Sequence, residues 1–276
     1  MVKKFILSIL LFLFMYLYLY AADTDTERRL REIVPPAVVV KDVIEEKDKV
    51  YYNVFYEPNR VLQGATKGRW IETTGTIGYG HKNIRGYFSS SQLKRIHQKD
   101  YIASMGAYLS FKDSYVHFEG GGGWNLSFIY KSQFLAEYGH KIIKNLYGQL
   151  GYTFKGYSSG NTHIVLPGLI YYFGDSYISG FYGTSAIEGR GLSFFGSLRG
   201  DFALTSFLKF DVGVSYGSRL YDIYGFDASE ELGYIINTGF TLKLCEGVNF
   251  RAGYTNSMER PKFFKKGANF SLAIKF

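Results

Sequence analysis

Gly267-Ala268-Asn269-Phe270-Ser271-Leu272-Ala273-Ile274-Lys275-Phe276 alternates strictly, with Ala268, Phe270, Leu272, Ile274 and Phe276 on one face and Asn269, Ser271, Ala273 and Lys275 on the other. A period of two is that of a strand with one apolar and one polar side. Two settings accommodate such a strand. In a soluble sandwich the apolar face joins a shared core; in a membrane-spanning barrel it meets lipid and the polar face meets the lumen. The terminal aromatic favours the barrel, whose last strand pairs with its first so that no edge is left. A closing strand ending on Phe276 is also expected to be the signal read by the barrel-assembly machinery.

Moving outward from this strand, the pattern recurs. The expected strands are 50–56, 70–79, 84–94, 101–111, 115–121, 130–138, 146–157, 162–173, 177–185, 192–202, 207–216, 231–244, 248–258 and 268–276, fourteen in all. The third, fifth and ninth alternate least, and dropping two gives twelve. Leu192, Phe194, Leu198 and Phe202 oppose Ser193, Phe195, Ser197, Arg199 and Asp201; Leu208, Phe210, Val212, Val214 and Tyr216 oppose Lys209, Asp211, Gly213 and Ser215. The fold class is therefore all-β: a transmembrane antiparallel up-and-down barrel of about fourteen strands.

Connection lengths separate this from a Greek-key sandwich. Every second connection is short (81–83, 112–114, 174–176, 203–206, 245–247), whereas 57–69, 217–230 and 259–267 are long. Outer-membrane barrels show this rhythm of short periplasmic turns and longer extracellular loops. It requires an even strand number with both ends of the barrel in the periplasm. The connection 139–145 is longer than the rhythm allows. Aromatic residues cluster towards strand ends (Trp70, Tyr79, Tyr101, Phe111, Tyr171, Tyr172, Tyr177, Phe202, Tyr216, Phe264, Phe276), as in the girdles that mark membrane interfaces. The 25 Tyr and 24 Phe among 276 residues supply them.

The N-terminal segment reads as targeting. Met1-Val2-Lys3-Lys4 is basic, Phe5 to Tyr20 is apolar, and Ala21-Ala22 precedes an acidic run. Residues 1–22 are expected to be a signal peptide cleaved near Ala21 or Ala22; an uncleaved anchor is the alternative. Residues 23–47, charged and broken by Pro35-Pro36, are expected to form a periplasmic arm, and 48–276 the barrel of an outer-membrane protein in a Gram-negative-type bacterium. A single Cys excludes an internal disulfide. The net charge of +8 is dispersed and comes with no nucleic-acid motif, so no nucleic-acid partner is expected.

Enzymatic chemistry finds no support in these residues. His81, His97, His117, His140 and His163 lack metal-ligand spacing. His163 lies near Ser158 and Ser159 but, by register, points into the lumen. Gly120-Gly121-Gly122-Gly123 lacks the Lys-Ser/Thr and helix of a phosphate cradle and reads as a flexible strand end. No catalytic residue, metal or cofactor is expected. The candidate lumen-lining residues are Glu72, Glu119, Lys131, Glu137, Lys155, Arg199, Asp201, Lys209, Asp211, Lys243, Arg251 and Lys275, joined by Glu231. A three-residue turn Leu204-Thr205-Ser206 would set Asp201 opposite Lys209, Arg199 opposite Asp211 and Phe202 opposite Leu208. Basic residues in long connections (Arg60, Lys67, Arg69, Arg190, Arg219, Arg260, Lys262, Lys265, Lys266) would suit phosphates of outer-leaflet lipopolysaccharide.

The stretches Tyr182-Gly183-Thr184, Leu192-Ser193-Phe194-Phe195-Gly196-Ser197-Leu198-Arg199 and Arg251-Ala252-Gly253-Tyr254 resemble YaiO-type outer-membrane barrels, over roughly residues 50–276. The resemblance implies location and architecture, and hands over no catalytic residue or ligand. Two functions follow as expectations: a passive channel or transport barrel for small polar or anionic solutes or surface glycans, or a closed structural or interaction barrel that displays loops; an outer-membrane enzyme stands a distant third. A monomer in outer-membrane lipid is expected for either.

Overall fold

The computed structural model describes residues 49–63, 66–95, 98–125, 130–158, 160–188, 191–218, 232–259 and 263–276. The signal peptide, the arm, His97, Arg190, Arg219, Glu231, Arg260 and Lys262 lie outside them. Fourteen strands follow in order: β1 (Lys49–Gln63), β2 (Thr66–His81), β3 (Ile84–Arg95), β4 (Gln98–Ser110), β5 (Ser114–Trp124), β6 (Ser132–Ile143), β7 (Leu146–Tyr157), β8 (Gly160–Phe173), β9 (Ser176–Ile187), β10 (Gly191–Ala203), β11 (Leu208–Ser218), β12 (Leu232–Cys245), β13 (Val248–Glu259) and β14 (Phe263–Lys275). Each pairs antiparallel with its neighbours, and β14 pairs with β1 to close the ring. The three weakly alternating strands are present, so the number is fourteen rather than twelve.

Closure is sealed at the chain end. The Phe276 amide donates to the Val50 carbonyl at 2.9 Å, and the Phe276 ring meets Tyr52 edge-to-face, centroids 6.1 Å apart. Closing the ring satisfies the backbone groups of both edge strands, a requirement in lipid, where no water is available to bond them.

Three expected connections are largely strand instead; one of them, 259–267, narrows to residues 260–262 because β14 begins at Phe263. Residues 57–69 were expected to form a long loop, but β1 continues through them to Gln63 and β2 begins at Thr66. Pro58 carries the break signal: a proline has no amide to donate. The ladder to β14 indeed skips Glu57 and Pro58, then resumes in the same register at Asn59↔Gly267. The anomalous connection 139–145 likewise shrinks to Lys144-Asn145, because β6 runs on to Ile143. Asn145 takes a positive φ of 69°, the left-handed turn conformation that asparagine tolerates. The Gly120–Gly123 run is regular strand in register with β4.

The outer wall is apolar and bare: Met105 is 68% exposed, Leu198 64% and Leu192 62%. An apolar surface of this extent is unfavourable in water and matches the acyl chains of a bilayer. On the inner wall, aromatic rings lie flat over glycines directly opposite them. Tyr51 covers Gly78, Tyr87 covers Gly106 and Tyr115 covers Gly139, and a Cβ at any of the three glycines would collide with the ring. Large rings thus line the wall instead of crossing the lumen. Three expected girdle residues, Trp70, Tyr172 and Tyr177, also turn inward: Trp70 stacks under the Arg95 guanidinium at 4.1 Å, and Tyr172 and Tyr177 contact each other.

Candidate functional site

The inner wall holds most of the charged residues selected by alternation. Glu72, Glu119, Glu137, Lys155 and Asp211 are buried inside; Arg199, Asp201, Lys209, Arg251 and Lys275 are half-buried; Lys243 is exposed near the turn end of β12. Lys131 is a correction: it precedes β6, in the connection, with its side chain exposed. His163 is another. It sits on the outer face of β8, exposed, with Nδ1 2.8 Å from the Tyr152 hydroxyl, because β8 turns Ile164, Leu166 and Ile170 inward instead.

The β10–β11 turn spans Leu204 to Phe207, not three residues, and this shifts the register by two. Asp201 therefore lies opposite Asp211, Phe202 opposite Phe210 and Arg199 opposite Gly213. A slip of two keeps every side chain on its face, so the alternation survives while the partners change. Two carboxylates directly opposite would repel; a cation neutralises each. Lys209 Nζ lies 3.5 Å from Asp201. Asp211 takes a bidentate pair from Arg251, Nε and Nη2 each donating at 2.7 Å. Arg251 stands two strands away on β13 and reaches Asp211 across Gly239 of β12, where a Cβ would lie 2.5 Å from Nη2. Arg251 also donates through Nη1 to Asn269.

Sequence reasoning missed a second carboxylate pair. Glu57 lies opposite Glu72, both buried. Lys265 Nζ lies 3.8 Å from Glu57, the Thr255 hydroxyl donates to Glu57 at 3.0 Å, and the Thr74 hydroxyl donates to Glu72 at 3.0 Å. Lys265, expected in a loop, faces the interior of β14. The alternation Phe55-Glu57-Asn59-Val61 carried the signal, and Pro58 obscured it.

The interior has two levels. At the end with the short turns, a cavity of about 710 Å³ is lined by six cationic side chains (Lys49, Lys82, Arg85, Lys209, Lys243, Lys275) and two carboxylates (Asp175, Asp201). Further in, Val61, Trp70, Ile164, Leu166, Ile170, Tyr177, Phe181, Phe195 and Ile235 form one apolar cluster. Since β1 and β8 are diametrically opposed in the ring, this cluster spans the interior. A mainly polar lining was expected from barrel alternation; this apolar cluster, densest on β8 and β9, departs from it. Among the described residues no cluster of three or more His, Cys, Asp or Glu side chains suits a metal.

No protein-family profile matches the sequence, and no curated protein is detectably similar to it. Solved structures resemble it in fold. The outer membrane protein Omp33 of Acinetobacter baumannii aligns over 83% of this chain and 99% of its own, with 14% identity and a TM-score of 0.50. The outer membrane protein OpdK from Pseudomonas aeruginosa covers 84% and 99%, with 9% identity and a TM-score of 0.48. An anion-selective porin from Comamonas acidovorans covers 84% and 100%, with 9% identity and a TM-score of 0.46. The fold, a closed ring of fourteen antiparallel strands, is of the outer-membrane β-barrel type that Omp33 shares.

Proposed function

We propose that this chain is a passive channel of a Gram-negative-type outer membrane, exported by residues 1–22 and related to YaiO-type barrels, that favours small anionic solutes. The observation that carries the reading is the excess of cations around the cavity at the short-turn end, six against two carboxylates. A low-dielectric wall focuses that field and raises the local concentration of anions. The apolar cluster further in is the constriction that limits solute size. Reconstituted in a planar bilayer under a salt gradient, the purified barrel should give a reversal potential of anion-selective sign. Lys82→Glu with Lys243→Glu equalises the charges of the lining and should abolish the preference. Retained anion preference in that variant counts against the vestibule as the filter.

A second reading has its own support. Glu57, Glu72, Lys155 and Lys265 are at most 2% exposed, the packing of a sealed interior that braces a barrel displaying loops. Absence of any conductance step from correctly folded barrel would decide for it.

A further inference from the structure

The outer wall carries a row of positive charge that the interior does not explain. On the lipid-facing side, Arg60 of β1 lies directly opposite Lys266 of β14 and directly opposite Arg69 of β2. Next along the ring, Lys94 of β3 lies opposite Lys99 of β4, and Lys94 itself pairs with Ile71, two residues beyond Arg69. Arg60, Arg69, Lys99 and Lys266 are exposed and Lys94 half-buried. Among the described residues, the outward positions of these five strands contain no carboxylate, since Glu57, Glu72 and Asp100 all turn inward. Like charges directly opposite in a sheet are destabilising, and no described outward acidic side chain on these five strands offsets the row, which therefore suits an anion bound from outside the barrel wall.

Their height identifies its source. Tyr56 and Phe270 stack on the apolar band of the outer wall, centroids 6.5 Å apart, and Arg60 and Lys266 stand two outward positions beyond them towards the end with the long connections. That is the level of the aromatic girdle, with Leu62 and Phe264 one outward position farther still, and so the membrane interface, where headgroup phosphates lie. The row also has two centres. Lys266, Arg60 and Arg69 flank β1, while Lys94 and Lys99 flank the gap between β3 and β4. At roughly 4.8 Å per strand and 3.3 Å per residue, the centres are about 12 Å apart across the strands and about 7 Å along them, so about 14 Å apart in all. Two anionic groups on one molecule, separated by about two sugar rings, could engage both centres, since the long Arg and Lys side chains can reach towards each other from them.

We propose that this row binds a bis-phosphorylated disaccharide glycolipid of the outer leaflet, one phosphate at Arg60 and the other between Lys94 and Lys99. The inference rests on the membrane placement proposed above but not on conductance, and its readout is independent of channel activity. In it, the purified full-length barrel in phosphate-free non-ionic detergent is titrated with bis-phosphorylated lipid A, its monophosphorylated form, phosphatidylglycerol vesicles and inorganic phosphate, following binding and thermal unfolding. Bis-phosphorylated lipid A should raise the unfolding midpoint most, the monophosphorylated form less, and inorganic phosphate at equal concentration not at all. Arg60→Gln with Arg69→Gln and Lys266→Gln should weaken lipid A binding about tenfold or more. Relieved of repulsion, this variant should melt no lower than the parent without lipid. Should the triple variant fail to fold, Lys94→Gln with Lys99→Gln tests the second centre by erasing the preference for two phosphates over one. Unchanged affinity in these variants, or an equal response to inorganic phosphate or phosphatidylglycerol, overturns the proposal.

Discussion

Inside this barrel two pairs of carboxylates face each other across strands, Glu57 with Glu72 and Asp201 with Asp211. Each arrangement holds because a cation or a hydroxyl reaches in from another strand. The Arg251–Asp211 pair is the strongest of these contacts, bidentate and largely shielded from water. Asp211→Ala should cost about 2–3 kcal/mol, the range for hydrogen bonds to charged groups, read from urea unfolding of the refolded barrel. Lys209→Gln should cost at most about 1 kcal/mol, because its amine is more exposed and its two contacts, to Asp201 and to the Asp175 carbonyl, are each long at 3.5 Å. Exchange of the partners, Asp211→Arg with Arg251→Asp, should recover part of the loss. The corresponding exchange of Arg199 and Asp211 should not, because Gly213 lies opposite Arg199. Recovery in the second exchange and not the first would restore the narrower turn.

At the scale of the element, the inward ring over a facing glycine lets a strand carry large side chains without filling the lumen. Tyr51 lines the vestibule while lying on Gly78. Gly78→Leu should lift that ring into the cavity, cost about 1–3 kcal/mol through overpacking, and reduce single-channel current. Normal current from a folded Gly78→Leu barrel would remove Tyr51 from the permeation path. The closing strand makes a different demand. Phe270 faces outward and stacks on Tyr56 and Phe250, so Phe270→Asp places a carboxylate against lipid. Transmembrane barrels lose roughly 2–4 kcal/mol for a basic residue at the midplane, and less for an acid. Assembly yield, measured as heat-modifiable migration, should fall for Phe270→Asp and for deletion of Phe276; normal migration of both would separate closure from the terminal aromatic.

At the scale of the whole molecule, both described chain ends lie at the rim of short turns, because an even number of antiparallel strands returns the chain to its starting side. Cys245 is exposed on that rim, at the end of β12. With that rim in the periplasm, a membrane-impermeant thiol reagent should leave Cys245 unlabelled in intact cells and label an introduced Asp227→Cys in the connection after β11. Strong labelling of Cys245 would invert the orientation, and with it the leaflet assigned to the basic row.

Much of this architecture was legible along the chain because alternation is local. Whether Phe194 faces out and Ser193 in depends only on the two-residue period of a strand, so closure, the fourteen segments and the faces of the cleanly alternating strands could be read from residue order; β8, apolar on both sides, could not, and its His163 was assigned the wrong face. What meets what could not. The partner of Asp211 was set by the width of the Leu204–Phe207 turn and by Gly239 two strands away, neither of which changes the alternation. Glu57 and Lys265 came together only because β1 passes through Pro58 at the expense of two ladder pairs. The apolar level within the lumen arose because β8 and β9 place Ile164, Leu166, Ile170 and Phe181 inward, where they pack against strands on the far side. Sequence determined the wall, since a strand's faces follow from its own residues; the tertiary structure decided the interior, since contacts across a ring depend on turn widths and register summed around it.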